Sequence, residues 1–268
     1  MSHTFLKDDS PYCQREVLKN LQMNFRLWDK LPTIIKNGPI SLREQDFFED
    51  NLIHALAGEL MTGELQETVK IITELPEFQK SRKLLDLGGG HGLYSIAFTR
   101  LNSALNAYVF DFPEVIRDTK NYIKSFAADN VDVIPGNLFT DDIGNGYDII
   151  LFSYNPGGKN PDLVPKIYGA LNKGGLFITK HTFYKKDEKS KNLLLDAEWN
   201  LTSFEGVMKE NKIYSFAGDL CFEDYLKLLE EYFSTKKIID APQFGCTHLS
   251  KFGDTLDSKI IIAKKGFS

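Results

Sequence analysis

Residues 84–92 read Leu84-Leu85-Asp86-Leu87-Gly88-Gly89-Gly90-His91-Gly92, an apolar run that leads into a glycine-rich turn. The run predicts a buried strand, and the residues after the turn predict a helix. Because glycine has no Cβ, such a turn is tight and brings the amides of the helix start close to a ligand. A dinucleotide-binding turn needs a third glycine at position 93, where this chain has Leu93. An acid at position 86 suits a ligand that carries an ammonium group.

A second acid follows at the end of the next predicted strand, where residues 107–110 run into Asp111 and Phe112. An acid about 20 residues after a glycine turn is placed for ribose hydroxyls, and an aromatic ring beside it suits an adenine face. An adenosine joined to a cationic amino acid is S-adenosyl-L-methionine, which we therefore predict as the cofactor. The predicted cofactor contacts of the two motifs are Asp86, Gly88, Gly90, Asp111 and Phe112.

At these residues the chain resembles class I S-adenosylmethionine-dependent methyltransferases. The segments LLDLGGGHG (residues 84–92) and VFDFPEVI (residues 109–116) are similar to the corresponding motifs of small-molecule O-methyltransferases of the caffeate and hydroxyindole type. The resemblance runs from about Trp28 to the C-terminus. It implies an α/β fold with a Rossmann-like seven-stranded sheet, and methyl transfer to a small-molecule acceptor.

The resemblance also implies cofactor contacts at the ends of the third and fourth strands. The family has Gly-Asp after the third strand, and its acid reaches the adenine edge. This chain has Gly136-Asn137, and the Asn137 amide still offers a carbonyl acceptor. Leu138 beside it and Ser153 after the fourth strand complete the predicted cofactor set.

The composition excludes several classes of function. The chain has 268 residues, 42% of them hydrophobic and 26% charged, with a net charge of −5. We therefore expect no nucleic-acid partner, since no basic cluster is present, and no membrane partner, since no apolar run is long enough to span a bilayer. A signal-peptide pattern is missing, and three distant cysteines suggest free thiols of a cytoplasmic protein. We expect no metal site.

The chain divides into a helical cap and a methyltransferase domain. Residues 1–76 carry apolar positions at helical spacing and predict the cap, a possible dimerisation segment. Residues 77–268 predict the S-adenosylmethionine-binding domain, in which strands alternate with helices around a parallel sheet. The predicted strands are residues 83–87, 107–110, 131–134, 147–152, 176–179, 236–239 and 259–263.

The family resemblance bears on assembly as well. Its members carry a winged-helix-like dimerisation module before the cap helices, and this sequence has no counterpart of that module. We therefore expect the family dimer to be reduced or rebuilt through the cap. A homodimer is favoured, because Phe25, Trp28, Phe47 and Phe48 are too many aromatic side chains for a small cap to cover.

The fourth strand ends without the family's catalytic residue. The family places a His-Asp pair there, whose histidine takes the proton from the acceptor hydroxyl, whereas this chain reads Ser153-Tyr154-Asn155-Pro156. In one hypothesis another residue is the base. His181, which lies past the fifth strand, is then the first candidate, and Tyr154 and His248 are weaker ones. In a second, which we favour slightly, an amine, a thiolate or an acidic phenol attacks without a base. In a third, the protein binds the cofactor and transfers nothing.

The acceptor is expected to lie between the cap and a helix after the fifth strand. Residues 193–204 predict that helix, and it would present Trp199 and Asn200 to the pocket. Trp28 would line the opposite wall. Asn155 is also a candidate acceptor contact, because Asn155-Pro156 partly resembles the Asn-Pro-Pro-aromatic loop of amino-methyltransferases. We expect His91, between two glycines of the turn, to face solvent.

Overall fold

The computed structural model describes residues 2–10, 12–43, 52–155, 157–240 and 258–266. Phe47, Phe48 and His248, which the sequence analysis singled out, lie outside these residues. Seven strands form the main sheet in the order β4-β3-β2-β5-β6-β9-β8, and β9 runs antiparallel to its neighbours. The predicted α/β fold is therefore confirmed. The strands are β2 Lys83–Leu87, β3 Asn106–Asp111, β4 Val131–Pro135, β5 Tyr147–Ser153, β6 Leu171–His181, β8 Phe233–Asp240 and β9 Lys259–Lys265.

Helices cover both faces of the main sheet. Leu84 and Leu85 are both fully buried, yet they join apolar clusters on opposite faces, because successive side chains of a strand alternate. One cluster contains Ile72 and Phe98, and the other contains Ile167 and Leu229. The helices of these layers are α5 Glu64–Thr73, α6 Leu93–Leu101, α7 Pro113–Ser125, α8 Leu163–Ala170 and α10 Phe222–Tyr232.

The described residues before position 76 form five helices and one short strand. The second helix ends at Asp29 and the third begins at Leu31, with Pro32 in its first turn, where the missing N–H costs nothing. The cap helices are α1 Ser2–Phe5, α2 Arg15–Asp29, α3 Leu31–Asn37 and α4 Leu52–Leu60. No helix in the described ranges has the length and apolar character needed to cross a bilayer.

A small second sheet joins the cap to the middle of the chain. Strand β1, Ile40–Arg43, pairs in parallel with β7, Thr202–Glu205. The predicted helix over residues 193–204 was wrong at its end, because helix α9 covers only Leu193–Trp199. The following residues take their backbone partners from a strand distant in sequence, which helical periodicity cannot reveal.

The expected homodimer stays a prediction. Phe25 is 60% exposed, so part of the aromatic surface that motivated the expectation is uncovered in the single chain. Trp28 is partly buried, and its Nε1 donates to Glu198 Oε2 at 2.9 Å. That bond fixes the cap on α9 within the chain.

A buried ion pair ties the cap to the sheet. Lys180 lies on β6 with no exposed surface, and its ammonium binds the Glu64 carboxylate at the start of α5. Two hydroxyls complete its environment, Tyr94 Oη at 2.9 Å and Thr68 Oγ1 at 3.2 Å. Burial lowers the pKa of Lys180 to about 8, while the charge of Glu64 acts to raise it. The ammonium group therefore depends on this carboxylate for its compensation.

We expect Glu64→Gln to lower the free energy of unfolding by about 3–5 kcal/mol, because it leaves a buried ammonium without its anion. Denaturant unfolding at pH 7 measures the change. Lys227→Met is the control, since the pair of Lys227 with Asp224 lies at the surface and exposed pairs contribute little. Equal losses in the two variants would contradict the role given to the buried pair.

Candidate active site

The main cavity lies at the carboxyl ends of β2, β3 and β5, where ligands bind in open α/β sheets. Its volume is about 810 Å³, within the range of about 300–1,000 Å³ usual for ligand sites. It extends from the glycine-rich turn to the face of α9 and β7. Eleven of the fourteen predicted site residues line it: His181, Tyr154, Asp86, Gly88, Gly90, Asp111, Phe112, Leu138, Ser153, Asn155 and Trp199.

The glycine-rich turn is held by backbone bonds and by one side chain. Gly88 has a φ of 63°, and its N–H donates to the carbonyl of Phe110 at 2.7 Å. The Asn155 amide lies directly over it, since a Cβ at position 88 would be 2.1 Å from Asn155 Nδ2. That nitrogen donates to the Gly88 carbonyl at 2.6 Å. Asn155 therefore supports the turn as well as lining the cavity.

We expected His91 to face solvent, and this prediction was wrong. It is 8% exposed, and its Nδ1 accepts from the N–H of Leu93 at 3.2 Å. Burial lowers its pKa to about 4, with a further contribution from His54. The imidazole is therefore neutral near pH 7 and caps the start of α6.

Asp86 lies beneath the turn. Its carboxylate is 1% exposed and accepts a hydrogen bond from Ser95 Oγ at 3.0 Å. Burial, with a contribution from the nearby charge of Asp111, raises its pKa to about 7. A buried carboxylate in this state gains most from a cationic neighbour.

Asp111 closes the same side of the cavity. Its Oδ2 accepts from the N–H of Gly90 and its Oδ1 from the N–H of Phe112, both at 2.8 Å. Burial raises its pKa to about 6, and these two bonds oppose the shift. Because a carboxylate has about four acceptor positions, capacity remains for further donors.

Three predicted residues do not line the cavity. Asn137 Oδ1 accepts from the N–H of Phe139 at 2.9 Å, so the acceptor proposed for adenine already serves a turn. Asn200 Nδ2 donates to the carbonyls of Asp196 and Asn211 at 2.7 and 3.0 Å. Trp28 faces Glu198 instead, as described above.

Tyr154 follows β5, at the strand end where the family resemblance predicts a catalytic histidine. Tyr154 has a φ of 49°, a conformation that is strained for a bulky residue. Its N–H donates to the carbonyl of Lys180 at 2.9 Å, and the Lys180 ammonium lies 4.9 Å from the ring centroid. Its hydroxyl hydrogen-bonds Ser258 Oγ. The ring is thereby fixed at both ends.

His181 lies beside this segment, at the end of β6. It is 3% exposed, and its ring makes edge contacts with Phe152 and Tyr154. Its Nε2 is buried and has no hydrogen-bond partner among the described residues. A Cβ on Gly158 would lie 2.1 Å from that nitrogen, so the backbone covers it. Burial lowers the pKa of His181 well below its ordinary value, helped by the charges of Lys159 and Lys180.

The far end of the cavity is aromatic. Trp199 packs against Phe204, Tyr214 and Phe216 with ring centroids 5.5–6.3 Å apart. The Lys209 ammonium lies 4.1 Å from the centroid of the Trp199 ring. All five side chains line the cavity.

The sequence analysis missed the lysines of the cavity and its surroundings. Lys159 Nζ is 3.2 Å from Asp219 Oδ2 and 2.7 Å from the Tyr214 carbonyl, and the pair is buried. Lys180 interrupts the apolar stretch 176–181, and this pattern could have indicated a buried lysine. Lys159 and Lys209 lie in segments without periodicity, so nothing in the sequence indicated their burial. Among the described residues, no cluster of three or more His, Cys, Asp or Glu side chains could hold a metal ion.

Comparisons with known proteins identify the family. An O-methyltransferase domain model matches residues 42–215. An uncharacterised protein of Methanocaldococcus jannaschii is 40% identical over 99% of this chain and 76% of its own length. An L-tyrosine C(3)-methyltransferase of Streptomyces lavendulae is 31% identical over 40% of this chain and 31% of its own.

A solved structure supports the same fold. Human N-acetylserotonin methyltransferase in complex with S-adenosylmethionine has a TM-score of 0.65 and 18% identity, over 99% of this chain and 74% of its own. The match of the family model over most of the chain agrees with the glycine-rich turn and the acid after β3. The chain belongs to the O-methyltransferase domain family and is an S-adenosylmethionine-dependent methyltransferase.

Proposed function

We propose that the protein methylates a small acceptor by positioning it, without a general base at the family's position. The observation that supports this is the environment of the two candidate bases. Tyr154 lies just after β5, where the family resemblance predicts a histidine that this chain lacks, and its hydroxyl is engaged with Ser258. His181 Nε2 is covered by Gly158. Neither group is free to take a proton from an acceptor in this arrangement.

The cofactor half of the cavity fits S-adenosyl-L-methionine. When bound, the cofactor supplies an electrophilic methyl group on a sulfonium. Asp86 would receive its ammonium group, and Asp111 would accept from the ribose hydroxyls, with Phe112 and Leu138 beside the adenine. Both carboxylates have raised pKa values, so a cationic ligand would stabilise their ionised forms. Ser153, also on the lining, completes this half.

The acceptor half fits an aromatic molecule. Trp199, Phe204 and Phe216 offer ring surfaces, and aromatic pairs contribute beyond their buried area. The two methyltransferases named above, for L-tyrosine and for N-acetylserotonin, take aromatic compounds by name. An amine, a thiolate or an ionised phenol needs no base: its lone pair forms the bond to the methyl carbon as the carbon–sulfur bond breaks and its electron pair stays on sulfur.

A second candidate is O-methyl transfer with His181 as the base. The unpaired Nε2 favours it, because a buried nitrogen without a partner is costly and is often kept for a role. In this mechanism Gly158 would move and expose the ring. The low pKa makes His181 a weak base that is neutral, and so able to accept a proton, across the physiological range.

We expect Asp111→Ala to weaken binding of S-adenosylhomocysteine by about 10–100-fold, since a hydrogen bond to a charged group contributes about 1.5–3 kcal/mol. Calorimetry measures the affinity. Asp132→Ala is the matched control, because Asp132 also accepts from the next residue's N–H but lies exposed on β4, away from the cavity. Unchanged affinity in Asp111→Ala would refute the placement of the ribose.

We expect the affinity for S-adenosylhomocysteine to fall as the pH drops from 7.5 to 5.5. Asp86 has a pKa of about 7 in the free protein, so at lower pH it is protonated and must lose its proton to pair with the ligand's ammonium group. Calorimetry across this range measures the slope. Asp86→Asn should bind more weakly and with a flatter dependence, and an equally steep slope in that variant would contradict the assignment.

We expect His181→Ala to change kcat less than about 10-fold, whereas loss of a true general base lowers it by about 10²–10⁴-fold. The assay is methyl transfer over phenol, thiol and amine acceptors, and the rate should follow the ionisation of the acceptor. Tyr154→Phe tests the Tyr154 hydroxyl. Tyr184→Phe is its control, because Tyr184, whose hydroxyl donates to the Ile213 carbonyl, does not itself line the cavity. A loss above 10²-fold in folded His181→Ala would favour the second candidate.

A further inference from the structure

Lys209 is a cation built into the acceptor end of the cavity. It is half-buried, and its ammonium donates to the Trp199 carbonyl and to Thr202 Oγ1, the latter at 3.0 Å. The rings of Trp199 and Phe204 flank it at 4.1 and 4.9 Å. An ammonium has three donors, so one remains for a ligand.

The charge of Lys209 lacks a counter-ion in the described part of the chain, which sets it apart from its neighbours. Lys159 pairs with Asp219, and Lys180 pairs with Glu64. No carboxylate lies within 4.0 Å of the Lys209 ammonium among the described residues. Burial lowers the pKa of Lys209 to about 8, and no charged group opposes the shift. An anion at this point would offset that cost.

The carboxylates of the described residues on the same lining do not pair with Lys209. Glu64 binds Lys180, and Asp86 and Asp111 lie at the glycine-rich turn. Glu198 accepts from the Trp28 indole, and Glu59 acts on Tyr214, whose pKa it raises together with burial. Arg26 and Lys30, exposed at the rim of the cavity, add charge of the same sign as Lys209.

We propose that the acceptor is an aromatic carboxylic acid, and that Lys209 binds its carboxylate while the ring lies against Trp199 and Phe204. A single remaining donor on one cation, within an apolar lining, suits a singly charged carboxylate. The proposal rests on the proposed function for placing the acceptor at this end of the cavity. Lys209 is thereby a specificity-determining residue of the methyl transfer.

The test uses binding of matched pairs to protein saturated with S-adenosylhomocysteine. The probes are benzoate and benzamide, phenylacetate and phenylacetamide, and indole-3-acetate and indole-3-acetamide, with affinities from ligand-observed NMR titration at pH 7. In at least one pair we expect the carboxylate to bind about 10–100-fold more tightly than the amide, because a hydrogen bond to a charged group contributes about that much to affinity. Equal affinity within every pair would overturn the proposal.

The variants locate the effect. Lys209→Met should reduce the preference for the carboxylate to less than about 2-fold, and Lys209→Arg should retain part of it. Lys212→Met is the control, because Lys212 lies over the Tyr184 ring and does not line the cavity. A preference that survives Lys209→Met, or is lost equally in Lys212→Met, would contradict the assignment.

A measurement on the unaltered protein guards against misfolded variants. The affinity for the carboxylate should fall as the pH rises above about 8, where Lys209 loses its proton, while the amide should show no such change. A carboxylate affinity that is flat from pH 7 to 9.5 would overturn the proposal. Because methyl transfer is not measured, failure of the base-free mechanism leaves these binding results intact, and failure here leaves the transfer assays intact.

Discussion

The connection between the cap and the cavity depends on Lys180. Its ammonium binds Glu64 of the cap, and its backbone carbonyl accepts from the N–H of Tyr154. One residue of a central strand therefore connects the cap, the sheet and the turn after β5. A buried pair of this kind stabilises only while both partners are present, because either charge alone would be left in a poorly solvated place. The pair thereby couples the position of the cap to the geometry of the site.

The local features of the sequence predicted the sheet, and most of the residues proposed for the cofactor line one end of the cavity. Strands buried on both faces are continuous apolar runs, and the acids Asp86 and Asp111 lie in short motifs with fixed spacing. The remainder depended on contacts between distant residues. The pairing of β1 with β7 and the bond from Trp28 to Glu198 link segments that no periodicity relates. Asn137 and Asn200 have the right chemistry for a ligand, but backbone groups nearby already use their amides.

The two halves of the cavity differ in their electrostatics. At the glycine-rich turn burial raises the pKa of both Asp86 and Asp111, and the charge of Asp111 contributes to the shift of Asp86, so a cation there would favour the ionised forms. At the far end a lysine lies among aromatic rings. One end of the cavity is therefore suited to a positive ligand and the other end to a negative one. In the mechanism proposed above, this polarity would orient a polar acceptor along the cavity, and the reaction would depend on proximity.

The parallel pairing of β1 with β7 also has a consequence for synthesis on the ribosome. β1 is made early, and its partner follows only after about 160 further residues, or roughly 8–30 s at about 5–20 residues per second. During that interval the hydrogen-bonding groups of β1 have no strand to meet, which is the condition under which an edge recruits the wrong partner. Until residue 202 emerges, the nascent chain therefore carries an unpaired edge at β1, even though β2 to β5 already have their partners by then.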